Sequence, residues 1–247
     1  MEVSPRKSKL VRRSAVPKPG AHPFEQIIVA NVDQIVPVFS ATKPTPRWNL
    51  LDRYLASAES LELASLICIT KMDLAGGDEE LFADIGAYRQ IGYPVILTSA
   101  VSGQGIDELK MALQGRVSVF IGKSGVGKTS LLNVIQPSLG LRVNQVNRVT
   151  GKGKHTTSNL EMFPLEFENN RSGSIVDTPG MREFELWDVE DIDLALLFPE
   201  MRPYVGKCKF GLDCTHHHEP GCAMTSAFHA GKISQRRYES FLKLRED

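Results

Sequence analysis

Two short segments constrain the fold of this chain more than any other feature, because of the order in which they occur. Residues 70–73 read Thr-Lys-Met-Asp, and residues 122–129, later in the chain, read Gly-Lys-Ser-Gly-Val-Gly-Lys-Thr. Both patterns are typical of nucleotide-binding domains, in which the glycine-rich segment usually comes first. If both segments keep their usual roles, the reversed order predicts a circularly permuted domain.

The later segment has the pattern of a phosphate-binding loop. It follows the apolar run 117–121 and precedes a helical stretch at 130–135, which is the strand-loop-helix context that such a loop requires. Its glycines let backbone N–H groups turn inward around a phosphate, and the helix N-terminus adds a partial positive charge. Lys128 is predicted to contact the β- and γ-phosphates, with the Thr129 hydroxyl on Mg²⁺. The predicted phosphate-binding residues are Gly122, Lys123, Ser124, Gly125, Val126, Gly127, Lys128, Thr129 and Ser130.

The earlier segment is predicted to select the base. Asp73 follows the apolar strand 66–69, and ligands bind beyond the strand ends of open α/β sheets. Its carboxylate can accept hydrogen bonds from N1–H and N2–H₂ of guanine, whereas adenine lacks this pair of donors, which disfavours an ATP-using enzyme. Lys71 would lay its methylene stem along the purine face. The predicted base-contacting residues are Thr70, which stands where Asn is usual, Lys71, Met72 and Asp73.

A second contact with the purine is predicted after the next strand. Ser99 and Ala100 follow the strand-like run 93–97. A backbone N–H near Ala100 can donate to guanine O6, an atom that adenine replaces with an amino group. On its own this segment would be an ordinary polar strand end, but its position downstream of residues 70–73 favours a role in binding guanine.

The parts of a nucleotide-dependent switch follow the phosphate loop. Asp177 ends the strand 173–177 and is predicted to hold Mg²⁺ through water, and Gly180 would present its N–H to the γ-phosphate. Thr156 or Thr157, in the glycine- and lysine-rich segment 151–158, would close on the metal when the γ-phosphate is present. The chain therefore runs from base to phosphate to metal switch, whereas an ordinary small GTPase runs from phosphate to switch to base.

Alternating strands and helices predict a mostly parallel α/β sheet. The predicted fold is a circularly permuted P-loop GTPase domain with helices on both faces of the sheet, followed by a small helical module. Its domains are a basic leading segment and linker at 1–22, the GTPase domain at 23–186 and the module at 187–247. Strands are predicted near 26–31, 35–40, 66–70, 94–98, 117–121, 160–167 and 173–177, and helices near 50–61, 79–90, 106–113 and 129–135.

A second chemical cluster lies in the small C-terminal module. Three thiols and one imidazole within a short stretch suit a closed, tetrahedral structural Zn²⁺ site, with His217 and His218 as competing candidates for the imidazole. A module of this size has a marginal hydrophobic core, which bound zinc would supplement. Cys68 lies in an apolar strand and is predicted to be core. The predicted zinc ligands are Cys208, Cys214, His216 and Cys222.

Taken together, the motifs resemble the ribosome-small-subunit-dependent GTPase A family (RsgA). The resemblance rests on the motif order and on Ala-Asn-Val-Asp-Gln at 30–34, Gly-Lys-His-Thr-Thr at 153–157, Asp-Thr-Pro-Gly-Met-Arg at 177–182 and Cys-x₅-Cys-x-His-x₅-Cys at 208–222. It implies a GTPase that acts in late maturation of the small ribosomal subunit, binds near its rRNA, carries one zinc and hydrolyses GTP slowly until the subunit stimulates it.

Two features depart from that family. Its members usually begin with a complete OB-fold domain, but here only residues 4–13 resemble the last strand of one, so that either the chain is truncated or its RNA contacts differ. The first two zinc cysteines of the family are also commonly one residue closer together than Cys208 and Cys214.

Composition sets the expected surroundings of the protein. The 29 Lys and Arg balance the 29 Asp and Glu, so any nucleic-acid surface must be local, and Arg236 and Arg237 beside Tyr238 are candidates for contact with RNA phosphates. No run is apolar enough to span a bilayer. Reduced cysteines and the use of GTP predict a cytoplasmic protein, expected to be a monomer without a membrane partner.

The residue after Gly180 bears on the mechanism. Many GTPases have a glutamine there that orients the attacking water, but Met181 cannot do so, and slow intrinsic hydrolysis is expected. His155 is the candidate for orienting the water, with contact to phosphate or RNA as the alternative role. Two functions remain open, a GTPase timed by the small subunit and a GTP-responsive binding protein whose hydrolysis is incidental. The predicted catalytic residues are Lys128, His155, Thr156 and Thr157.

Overall fold

The structure is a computed structural model that describes residues 5–13, 25–141, 161–167, 172–177, 191–217 and 219–246. For residues 11–13, 25–26 and 191–193 it describes the backbone. Several residues singled out in the sequence lie outside these ranges, and their predicted roles stay predictions: His155, Thr156, Thr157, Gly180, Met181 and His218.

Nine strands and seven α-helices lie in the described part of the chain, and all seven predicted strands and all four predicted helices have counterparts among them. The strands are β1 Lys9–Arg13, β2 Glu25–Ala30, β3 Gln34–Ser40, β4 Ala64–Ser65, β5 Ile67–Thr70, β6 Val95–Leu97, β7 Val117–Ile121, β8 Glu161–Glu166 and β9 Ser172–Asp177. The helices are α1 Trp48–Ser60, α2 Glu79–Ile91, α3 Ile106–Leu113, α4 Lys128–Ile135, α5 Asp191–Leu196, α6 Ala223–His229 and α7 Gln235–Glu246.

The main sheet has the order β6-β5-β3-β7-β9-β8, with the short β4 paired to β3. Every pairing in it is parallel except that of β8 with β9. Strands β8 and β9 lie on one side of β7 and follow it in sequence, whereas β3, β5 and β6 lie on the other side and precede it. The sheet therefore has the arrangement expected of a permuted chain, and the predicted mostly parallel α/β fold is confirmed.

The strands at the centre of this sheet are covered on both faces, which explains their apolar sequences. All seven residues of β3 and all four residues of β5 are buried. Cys68 of β5 is fully buried, as the apolar pattern predicts. Strands β1 and β2 stand apart from the main sheet and form an antiparallel pair of their own.

The chain divides into two compact units. Unit 1 comprises residues 1–46 and 63–183 and contains the main sheet, and unit 2 comprises residues 47–62 and 184–247. Helix α1 therefore groups with the C-terminal helices, although it lies between β3 and β4 in sequence. In unit 2, Phe198 and Phe241 meet edge to face with ring centroids 5.6 Å apart, in a core that also contains three buried cysteines.

A buried ion-pair cluster joins α1 to α7 within unit 2. The guanidinium of Arg237 donates to Asp52 Oδ1 at 2.6 Å and to both carboxylate oxygens of Glu200, at 2.6 and 3.1 Å. Arg237 is only 2% exposed. The prediction that Arg237 contacts RNA phosphates is therefore wrong, because its charge is already used inside unit 2.

Within the described ranges, none of the helices combines the length and the apolar character needed to cross a membrane.

Candidate functional site

The predicted nucleotide-binding residues of unit 1 lie at one edge of the main sheet. Because β3, β5, β6, β7 and β9 are parallel, their carboxyl ends meet at the same edge, the usual position of ligand sites in such sheets. Thr70 is the last residue of β5, and Asp177 is the last residue of β9. Gly122 follows β7, so the structure brings the base segment, the phosphate loop and the predicted magnesium-binding carboxylate to a common edge.

The phosphate loop needs its glycines for two different reasons. Gly125 and Gly127 have φ angles of 85° and 101°, in the left-handed region that favours glycine. Gly122 is needed for space, because a Cβ there would lie 2.3 Å from the carbonyl oxygen of Val38 in β3. Gly127 is the N-cap of α4, which begins at Lys128 and has Thr129 and Ser130 in its first turn.

Three side chains donate hydrogen bonds to carbonyl groups of this loop. Lys128 Nζ donates to Gly122 O at 2.7 Å, Lys71 Nζ donates to Gly125 O at 2.7 Å, and the Thr70 hydroxyl donates to Val126 O. A carbonyl oxygen that faced the phosphate would repel it. Because these bonds hold three carbonyl groups of the loop, they favour a conformation in which the N–H groups form its concave side. Two of the three donors come from the base segment, which precedes the loop by more than fifty residues in sequence.

Lys128 and Asp177 form a buried pair at the phosphate end of the site. Their Nζ and Oδ1 atoms are 4.0 Å apart, and both side chains are less than one tenth exposed. Burial lowers the pKa of Lys128 from its usual value, and the carboxylate of Asp177 acts in the opposite direction. A bound polyphosphate would favour the ammonium form in the same way as Asp177 does.

The base end of the site is held together by a hydrogen bond between its two predicted segments. Ser99 Oγ donates to Asp73 Oδ1 at 2.5 Å, and the same hydroxyl accepts from the backbone N–H groups of Val101 and Ser102 at 3.2 and 3.1 Å. Met72 N–H donates to Thr98 O at 3.1 Å. Ser99 thus fixes the orientation of the Asp73 carboxylate, and Ala100 lies in the turn that follows Ser99.

Lys71 connects this base end to a further loop that the sequence did not indicate. Its Nζ also donates to Lys43 O at 2.5 Å, in the segment that leads from β3 towards α1. Burial lowers the pKa of Lys71, and Asp73 acts in the opposite direction. Lys71 adopts a left-handed backbone conformation with φ of 59°. No sequence pattern marks Lys43, because its backbone oxygen makes the contact.

The predicted metal ligands of unit 2 lie together. The ligand atoms of all four residues are within 4.8 Å of one another, a group that could hold a metal ion. The Sγ atoms of Cys208 and Cys222 are 3.8 Å apart, and His216 Nδ1 lies 3.5 and 3.4 Å from them. A tetrahedral Zn²⁺ with Zn–S bonds of about 2.3 Å would place its sulfur ligands about 3.8 Å apart, so the cluster fits this metal. The four residues are Cys208, Cys214, His216 and Cys222.

Neighbouring side chains hold the loop that carries His216. The hydroxyl of Tyr238 in α7 donates to His216 O, and Arg245 donates to Thr215 O. His216 has a φ of 63°, a conformation that few side chains adopt without such support. Burial lowers the pKa of His216 and Arg245 lowers it further, which favours the neutral imidazole that binds metals. Of the two described histidines that competed for this role, His216 joins the cluster and His217 does not.

The chain is similar to known proteins over most of its length. A sequence profile described as RsgA GTPase matches residues 3–187. The small ribosomal subunit biogenesis GTPase RsgA of Gemmatimonas aurantiaca is 44% identical over 248 residues, covering 100% of this chain and 77% of the relative. The protein of the same name from Bacillus pumilus is 43% identical over 218 residues, covering 87% of this chain and 71% of the relative.

Two solved structures are similar to the chain over almost its full length. YjeQ from Thermotoga maritima has a TM-score of 0.73 and 34% sequence identity, covering 100% of this chain and 77% of that chain. YloQ, described as a circularly permuted GTPase, has a TM-score of 0.65 and 32% identity, covering 99% of this chain and 81% of that chain. A circularly permuted GTPase is therefore among the solved structures that this chain resembles.

Proposed function

We propose that this chain, which belongs to the RsgA GTPase family and is a GTP hydrolase, binds GTP at the carboxyl edge of the main sheet. Hydrolysis of GTP at this edge would serve maturation of the small ribosomal subunit. The observation that carries the assignment of the site is the convergence of Thr70 and Lys71 on the phosphate loop. A single nucleotide that spans both segments would explain why the residues predicted to select a base contact the loop predicted to bind phosphate.

Asp73 selects guanine in this proposal. With Oδ1 held by Ser99, its carboxylate is oriented to accept from N1–H and N2–H₂ of the base. A site built around such an acceptor rejects an analogue that lacks the matching donors, by about 10⁴ in favourable cases. Ala100 supplies a backbone N–H to O6, and the stem of Lys71 covers one face of the ring.

The phosphates lie in the loop 122–129 at the start of α4. Backbone N–H groups and the helix N-terminus bind the oxygen atoms, and the Lys128 ammonium neutralises charge at the β- and γ-phosphates. Thr129 and Asp177 are the described residues suited to hold Mg²⁺, which neutralises phosphate charge when bound. Thr156, Thr157 and Gly180 complete the γ-phosphate end in this proposal.

We propose that His155 orients the attacking water, since Met181 has no suitable polar group. His155→Ala should abolish stimulated turnover while leaving the affinity for GDP unchanged, because GDP binding does not require an ordered water. Release of inorganic phosphate and titration with a fluorescent GDP analogue measure the two quantities. Unchanged stimulated turnover would reject the assignment and leave phosphate or RNA contact as the role of this side chain.

The partner we propose is the small ribosomal subunit with its rRNA, since the curated relatives are named for small-subunit biogenesis. The protein would act as a monomer in the cytoplasm, where GTP and reduced thiols coexist. The four-residue cluster of unit 2 would hold one structural Zn²⁺, because its four protein ligands leave no position open for catalysis.

Turnover with and without purified small subunits tests the proposed function. GTPase rates rise by about 10³ to 10⁵ when a partner completes the catalytic site, so strong stimulation is expected from small subunits and little from an equal concentration of large subunits. Lys128→Ala is the matched inactive control. Binding to small subunits without stimulation would instead support a GTP-responsive binding protein whose hydrolysis is incidental.

A further inference from the structure

Three large apolar side chains are exposed near the predicted guanine-binding residues of unit 1. Leu74 is 57% exposed, Val101 is 86% exposed and Phe82 is 43% exposed. The hydrogen bond from Ser99 to Asp73 brings the turn that contains Val101 beside Leu74, the residue after Asp73. Exposed apolar side chains that cluster in this way mark a surface for interaction, whereas single ones are common on any protein.

The first turn of α2 holds Phe82 in place, close in sequence to Leu74. The carboxylate of Asp78 caps the helix by accepting from Leu81 N–H at 3.0 Å, and Phe82 N–H donates to Asp78 O at 3.1 Å. Leu81 is buried and packs on the core side of this turn, so Phe82 lies on its solvent side. A side chain carried by a fixed backbone loses less entropy when it binds a partner.

The charge around these side chains is acidic. No lysine or arginine occurs between residues 72 and 88, and Asp78, Glu79 and Glu80 are exposed. Within the described residues, Glu79 and Glu80 take part in no salt bridge. Acidic residues in a first turn stabilise the helix through its dipole, which accounts for the two glutamates but not for the apolar side chains exposed beside them. We call Leu74, residues 78–84 and Val101 the α2 surface.

We infer that the α2 surface binds a lysine- and arginine-rich segment of a protein that carries an apolar anchor. Leu74 and Phe82 would pack on the anchor, and the carboxylates at 78–80 would face the cations around it. Charge decides against RNA, whose phosphates require cations on the protein, and against a second copy of this face, since like charges repel. The inference rests on the proposed ribosomal function and names the partner as a basic protein segment of the small subunit.

Photo-crosslinking to purified small subunits tests this inference on the full zinc-loaded chain with a non-hydrolysable GTP analogue. With p-benzoylphenylalanine in place of Phe82, we expect a crosslink to a ribosomal protein, in a peptide that mass spectrometry shows to be rich in lysine and arginine. The same replacement of Met111 is the control and should not reach that peptide. Met111 is 66% exposed on α3, which packs in a core cluster that contains no residue of α2.

The affinity of variants for small subunits tests the apolar and the charged contacts separately. Phe82→Ala should weaken binding by about fivefold or more, and Met111→Ala should not change it. Glu79→Gln combined with Glu80→Gln should also weaken binding, because cations of the partner would lose their carboxylates, whereas the same change would strengthen binding to phosphates. GDP affinity and intrinsic GTP turnover should stay unchanged in all of these variants, which shows that unit 1 is folded.

Three outcomes would overturn the inference while the chain still sediments with small subunits. They are a crosslink from position 82 to rRNA, to a second copy of this chain or to a protein segment that is not basic, the absence of any crosslink from this position, and tighter binding by the glutamine variant. Failure of the ribosomal function would appear separately, as absent cosedimentation with small subunits and absent stimulation by them in the unmodified chain, and would remove both proposals.

Discussion

Thr70, which stands where asparagine is usual, is buried against the predicted phosphate loop. It is 2% exposed, and its hydroxyl donates to Val126 O in the phosphate loop. A Cβ on Gly127 would lie 3.5 Å from the same hydroxyl, so the loop packs directly on Thr70. The hydroxyl therefore ties residues 70–73 to the predicted phosphate loop.

We predict that Thr70→Val weakens GDP binding by about fivefold to tenfold. Valine keeps the volume of threonine but leaves Val126 O without its donor, and an unsatisfied buried carbonyl costs about 1–3 kcal/mol. The part of this cost that the free protein and the nucleotide complex share does not change the affinity for GDP. Titration with a fluorescent GDP analogue measures the change, and Thr70→Ser should restore the affinity.

Thr98→Val is the matched control for this prediction. Thr98 is also buried, follows the neighbouring strand, and donates to Ile69 O at 3.2 Å rather than to the phosphate loop. Loss of the Thr98 hydroxyl should lower the free energy of unfolding without changing the affinity for GDP. If both variants bind GDP equally well, Thr70 does not position the loop.

The sequence allowed a role to be predicted for single residues only where a side chain would act directly. The nucleotide-binding roles assigned to Asp73, Lys128 and Asp177 stay predictions, but the side chains do lie at one edge of the sheet. Contacts made through backbone atoms, such as the bond from Lys71 to Lys43 O, leave no pattern in the sequence. The Ser99 hydroxyl could be located near the base but not paired with Asp73, because serine has many possible partners.

At the scale of elements, the junction of β7 with α4 depends on its close approach to β3. A Cβ at Gly122 would lie 2.3 Å from Val38 O, which is backbone and cannot move aside as a side chain would. We predict that Gly122→Ala lowers the free energy of unfolding of unit 1 by about 3 kcal/mol and abolishes detectable GDP binding. Urea denaturation measures the first effect. Gly77→Ala is the control, because a Cβ there meets no atom within 4 Å and its loss of stability should be negligible.

Helix α1 shows that the sequence can predict a helix without predicting the element that packs against it. Its start was predicted within two residues and its end within one, because apolar residues that recur every three to four positions identify an amphipathic helix. The same pattern says that one face is buried but not which element covers it. The partner is α7, and the contact depends on Arg237, Asp52 and Glu200, which are distant in sequence.

We predict that Arg237→Met destabilises unit 2 by about 3 kcal/mol. Removing the guanidinium leaves the carboxylates of Asp52 and Glu200 buried without their cation, and breaking such a pair costs about 3–5 kcal/mol. Hydrogen exchange of α1 and α7 should report the loss. Arg202→Met is the control, since the Arg202 pair with Glu59 also involves α1 but is partly exposed and is worth at most about 1 kcal/mol. Equal effects of the two variants would contradict the prediction.

At the scale of the whole molecule, the two units have separate cores and separate candidate sites. The predicted nucleotide-binding residues all belong to unit 1, and the candidate metal cluster belongs to unit 2. Three cysteines of the cluster are also members of the core of unit 2. The stability of unit 2 should therefore depend on its metal far more than that of unit 1.

We predict that removal of zinc unfolds unit 2 while unit 1 still binds GDP. Zinc contributes on the order of 10 kcal/mol to small metal-folded modules, which is comparable to the whole stability of a typical domain. Helix α1 would be released with unit 2, leaving a longer loop between β3 and β4, and longer loops cost unit 1 little because closure entropy rises slowly with length. A zinc-selective chelator in buffer containing Mg²⁺, followed by hydrogen exchange and GDP titration, measures both units in one experiment.

Two variants separate the metal from other effects of the chelator. Cys214→Ala should reproduce the loss of protection in α1 and α5–α7 without any chelator, because three ligands bind zinc more weakly than four. Cys68→Ala removes a buried thiol from unit 1 and should leave one zinc per chain. Loss of GDP binding in step with zinc would mean that the sheet depends on unit 2 for its own folding. Undiminished protection of unit 2 after zinc release would mean that its apolar core suffices without the metal.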